Sequence, residues 1–158
     1  MKRYILFCIV FLMSSVAFAQ TISITSGATW SIPTLTSTIT SAGKNYEHIE
    51  TSGPSETLIK VNSALVWSVS VQQITGSSWH SNLVVSVRRT GDGTGGAIML
   101  GTSNYIILTA TNQAFFSGLL GLGFSRDNVP IQYKIEGLSV TLPVKTYTTT
   151  IQYTVTGL

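Results

Sequence analysis

The chain has 158 residues, of which nine are basic and six acidic, for a formal charge of +3. Apolar residues make up 44% of it, too many for a disordered chain. A single cysteine excludes a disulfide framework.

The first nineteen residues read as an export signal. Lys2 and Arg3 form a basic start, Tyr4 to Met13 an apolar run too short to span a bilayer, and Ala17-Phe18-Ala19 a small-x-small cleavage site. Cleavage is expected between Ala19 and Gln20, leaving residues 20–158 as a single domain with no membrane span. Removing Lys2 and Arg3 leaves seven basic against six acidic side chains, a net +1. No basic stripe for nucleic acid or anionic lipid survives. Cys8, the only cysteine, leaves with the signal. The remaining 139 residues can form one core. Of these, 40 are Ser or Thr interleaved with Val, Ile, Leu, Tyr and Trp, the composition of strands with one buried and one neutral wet face.

Residues 20–43 carry no charge. Weak strand patterns cover Thr21–Thr25 and Ser31–Thr40, and Pro33 marks an edge or a bulge. The stretch reads either as the first strands of the domain or as an N-terminal arm, with Ile22 and Ile24 as candidate partner contacts. Trp30 is a candidate contact as well. Tyr46-Glu47-His48-Ile49-Glu50 groups an imidazole with two carboxylates, but acid/base or metal chemistry would need partners from elsewhere, and a solvated loop or strand end is the expectation. A weak strand follows at Glu56–Asn62.

Ala64–Ile74 alternates strongly, with Leu65, Trp67, Val69 and Val71 expected to face the core. Trp79 follows the turn Gly76-Ser77-Ser78. It is expected either to cap the core or to present its ring to a sugar or a partner. Asn82–Thr90 repeats the alternation, with Leu83, Val85 and Val87 facing in. Gly91–Gly96 reads as a long mobile hairpin loop, because Asp92 alone cannot hold calcium and no Walker-type Lys follows. Weak strands are expected at Asn104–Thr111 and Gln113–Ser117. Gly118 to Gly123 lacks the spacing of a dinucleotide turn.

Arg126-Asp127-Asn128 and Gly137 read as turns. Between and after them lie two alternating segments, with Ile131, Tyr133 and Ile135 on one and Leu138, Val140 and Leu142 on the other. Tyr147, Thr149, Ile151, Tyr153 and Val155 then share one face of the clearest strand. The fold expected is an all-β antiparallel sandwich, Ig-like or jelly-roll-like, of eight to ten short strands and no helix.

The final segment, Tyr147 to Thr156, resembles the closing strand of pilin-like and spore-coat-U-type secreted β-sandwiches. The Trp67 strand and Val129–Glu136 are compatible with that fold. The chain departs from both families in lacking their disulfide cysteines. The resemblance implies a structural or adhesive subunit of a bacterial surface fibre or coat, without catalytic residues. It also implies assembly by strand addition, with residues 20–40 as a donor. No serine elbow, carboxylate pair, metal site or cofactor motif appears, so no enzyme activity is expected. A soluble module binding glycan or protein through Trp30 and Trp79, and a small outer-membrane barrel, are the alternative readings. Export places the protein in the periplasm, at the cell surface or outside the cell.

Overall fold

The computed structural model describes residues 20–32, 46–119 and 125–157. Residues 1–19, expected to be an export signal, and the expected strand beyond Ile32 lie outside the described residues. The chain forms eleven strands and no helix among the residues described: β1 (Thr21–Ser26), β2 (Glu47–Thr51), β3 (Thr57–Asn62), β4 (Trp67–Thr75), β5 (Val84–Arg89), β6 (Thr94–Gly95), β7 (Ile98–Leu100), β8 (Ile106–Ile107), β9 (Gln113–Leu119), β10 (Arg126–Ser139) and β11 (Thr149–Gly157).

They make two antiparallel sheets, as a β-sandwich requires. The larger runs β1-β3-β10-β5-β8, with β2 and β6 also paired to β10, and the smaller runs β11-β4-β9-β7. Period-2 alternation dictates the core between them. Ile59 and Val61 of β3, Val85 and Val87 of β5, and Val129, Ile131, Tyr133 and Ile135 of β10 face Trp67, Val69 and Val71 of β4 and Phe115 and Phe116 of β9. β10 is the organising strand: its fourteen residues pair with four other strands.

Several local expectations are corrected. Leu65 is 41% exposed, because Ser63 Oγ closes a tight turn on Leu65 N and O at 3.1 and 2.8 Å and the strand begins only at Trp67. Arg126-Asp127-Asn128 and Gly137 are bulges within β10 rather than turns. Asn128 (φ 54°) and Gly137 (φ 84°) supply the left-handed backbone where the register against β3 and β2 shifts. Val140 and Leu142 therefore do not form a strand of their own: β10 ends at Ser139 and turns, with Leu142 N donating to Ser139 O at 3.1 Å. In the Asn104–Thr111 segment only Ile106–Ile107 is strand, because the chain changes sheets there. Leu108 N donates to Val85 O of one sheet, and Thr109 O accepts from Gln73 N of the other.

The Gly91–Gly96 loop is pinned rather than free. Arg89, 6% exposed, pairs with Asp92 and donates to Gly91 O and Gly101 O. Arg126 donates to Ala97 O and Gly93 O, and β6 pairs with the start of β10. Burial, reinforced by the Arg126 charge, holds the Arg89 guanidinium below its ordinary pKa.

Candidate assembly edge and aromatic groove

The sheet edges differ in kind. β7 has three residues and β8 two, and short edge strands leave little backbone for a foreign strand to pair with. β1 is a longer edge, but its register against β3 shifts between Ile24 and Ser26, and a bulge twists an edge out of line. β11 has neither device. It pairs with β4 through nine consecutive residues with no register shift, and no described strand lies on its other side. It also carries no charge, for the last charged residue of the chain is Lys145. Natural sheets place charge on such edges to prevent open-ended pairing.

β11 is tied to the opposite sheet by a run of hydroxyls. Tyr133 OH donates to Thr57 Oγ1 at 2.9 Å, and Thr57 Oγ1 donates to Gly27 O at 2.5 Å. Tyr133 has spent its one proton, so at 3.0 Å the Tyr153 hydroxyl must donate to it. One relay therefore joins β11, β10, β3 and the turn after β1. Burial pushes the Tyr133 and Tyr153 hydroxyls above their ordinary pKa, Tyr153 the further because Tyr133 also opposes its ionisation, whereas the hydrogen bond from Tyr153 pulls Tyr133 partly back.

Ile22, Ile24, Trp30 and Trp79, the four contacts expected from the sequence, border two adjoining cavities around this relay. A slot of about 410 Å³ between the β1 and β11 edges is lined by Ile22, Ile24, Ile59, Ile74, Ile151 and Tyr153. A larger groove of about 1210 Å³ shares Ile24, Ile151 and Tyr153 with it and is lined by Trp30, Trp79, Tyr46 and Tyr147. Trp30 stacks on Tyr133, with centroids 6.0 Å apart and planes 18° from parallel. Both tryptophans also pack against the core, so each is half core and half groove wall.

Ile22 and Ile24 sit in a strand that pairs within its own chain. β1 lies antiparallel on β3, and Thr25 Oγ1 donates to Leu58 O at 3.2 Å. Among the described residues 20–43, those from 21 to 26 are thus the first strand of the domain; residues 33–43 lie outside the description. His48 belongs to β2, pairs with Glu50 at 2.7 Å and lines the larger groove. No group of three His, Cys, Asp or Glu able to hold a metal occurs among the described residues.

Sequence reasoning placed the candidate pairing strand at the N-terminus and missed the free edge of β11. The signal was present in the charge-free run from Thr146 to the C-terminus. Which side of a strand is left unpaired depends on sheet order, and alternation does not encode that. Comparison of the chain with protein-family models, curated proteins and solved structures finds no match.

Proposed function

We propose that the protein is an exported, non-catalytic subunit of the cell envelope that assembles through neutral sheet edges. The observation that carries this reading is β11, a nine-residue strand at a sheet edge without a charge or a bulge. A row of free backbone N–H and C=O groups binds another strand by the same hydrogen bonds that build a sheet. The leader-like residues 2–19 support export, and the resemblance of Tyr147–Thr156 to the closing strand of secreted surface subunits supports a structural role. Mass spectrometry of protein isolated from the envelope is expected to find Gln20, or its cyclised form, as the first residue; an intact Met1 removes export from the reading.

The assembly part is tested by charging the edge. Thr150 and Thr156 are exposed on β11. Thr150→Lys with Thr156→Lys is expected to leave the folded subunit within about 0.5 kcal/mol of its stability, as for ordinary surface substitutions, while abolishing self-association. Unchanged association of the charged variant counts against β11.

The larger groove favours a second reading, a module that binds a neutral glycan. Trp30, Trp79, Tyr46 and Tyr147 surround it with aromatic rings, and among the described residues Lys145 is the only fully charged one that lines it. Quenching or a spectral shift of tryptophan fluorescence by neutral oligosaccharides, lost in Trp79→Ala, supports this reading. No change across a panel of such sugars removes it.

A further inference from the structure

The assembly reading leaves open what lies against the β11 edge. We propose that it is the same edge of a second copy, paired antiparallel about a two-fold axis that passes beside Tyr153. The inference rests on the assembly reading and names its partner.

A strand that pairs with itself must tolerate its own sequence read backwards. In the register that uses all nine residues, Thr149 faces Gly157, Thr150 faces Thr156, Ile151 faces Val155, Gln152 faces Thr154, and Tyr153 faces its counterpart. Every pair joins residues of one face. Apart from Thr149 against Gly157 at the ends, the inward positions put aliphatic against aliphatic and ring against ring, and the outward ones put hydroxyl against hydroxyl or amide. Cross-strand pairs of these kinds stabilise a sheet, whereas opposed like charges destabilise it, and β11 has none to oppose. A shift of one residue would set inward side chains against outward ones, and a shift of two would forfeit paired backbone.

The other available strands fit less well. β1 of a second copy would have to leave β3, to which its backbone and Thr25 bind it. The relay from Tyr153 through Tyr133 and Thr57 to Gly27 holds β11 and the end of β1 to one body. β11, by contrast, is already extended and needs no rearrangement before pairing. The Gln20 amide lies on the side where a Cβ of Gly157 would point, at the C-terminal end of β11. The product is one continuous sheet of eight strands, four from each copy. It is an isologous contact, because the same patch serves both subunits.

The mature chain lacks cysteine, which makes the test direct. In the proposed register Thr150 of each copy lies opposite Thr156 of the other, about 4.5–5.5 Å between Cα atoms, within the span of a disulfide. Within one chain the two positions are six strand residues apart, about 20 Å, and cannot be bridged. A protein of residues 20–158 carrying Thr150→Cys and Thr156→Cys is oxidised beside each single variant and a Ser23→Cys/Thr150→Cys pair. The double variant is expected to shift from monomer to covalent dimer, with two disulfides by mass, while the others stay monomeric on non-reducing gels. Cross-linking of the Ser23→Cys/Thr150→Cys pair instead, or equally of the single variants, overturns the inference. So does a double variant that associates by sedimentation yet forms no disulfide, and this outcome leaves the assembly reading standing. A wild-type chain that is monomeric at every concentration overturns both.

Discussion

Trp67 has no accessible surface and meets the Phe116 ring edge-on, 6.0 Å between centroids. Its indole lies over Gly118, where a Cβ would come within 2.3 Å of Cζ2. The two positions are complementary in volume, so both changes should destabilise, for opposite reasons. Trp67→Ala is expected to cost about 3–5 kcal/mol through lost burial and the cavity left behind. That is a large share of a typical stability of roughly 5–15 kcal/mol. Gly118→Ala overpacks the same spot and is expected to cost about 1–3 kcal/mol. Denaturant midpoints measure both, and an unchanged midpoint for Trp67→Ala contradicts the packing described.

The Tyr133–Tyr153 pair makes a second claim at this scale, with a defined sign. Both hydroxyls have pKa values raised in the folded state, so the native protein holds these protons more tightly than the unfolded chain. Their contribution is complete below the unfolded tyrosine pKa of about 10 and is lost as pH rises beyond it. Stability is therefore expected to fall above about pH 10, and to fall less steeply in Tyr153→Phe, which has one such proton fewer. At neutral pH the same substitution should cost about 0.5–1.5 kcal/mol for the lost hydrogen bond. Equal alkaline slopes in the two proteins would show that the pair is not buried as described.

Among the elements, strands with strict alternation were legible from sequence. β4, β5 and the middle of β10 have the inward faces that Trp67, Val85, Val87, Ile131, Tyr133 and Ile135 indicate. The all-β sandwich followed from them. What was not legible involves backbone that only another strand explains. Asp127-Asn128 and Gly137 have turn chemistry, yet β3, β2 and β5 hold them inside one long strand as bulges. Tyr46–Glu50 read as a solvated loop or a strand end, and only its pairing with Lys134–Ser139 decides for a strand, Glu47–Thr51. The glycines of 91–96 looked mobile because the buried arginine that secures them, Arg89, reads as an ordinary polar strand residue. For the candidate site, Ile22, Ile24, Trp30 and Trp79 were identifiable as apolar residues in neutral or loop-like sequence. That they border two joined cavities depends on how the sheets stack, and no local pattern carries that information.

In the whole molecule, β11 is what distinguishes this protein from a self-contained sandwich. Among the described residues the other edges are short, bulged or, in β2, charged, whereas β11 is long, regular and neutral. Loss of association on adding Lys at positions 150 and 156 belongs to this scale, because it separates edge pairing from the stability of the subunit. The most direct measurement is the mass of residues 20–158 in solution by sedimentation equilibrium, over a wide range of protein concentration and without detergent. Pairing through β11 predicts a mass that rises with concentration from one subunit to at least two. A single-subunit mass at every concentration would contradict it.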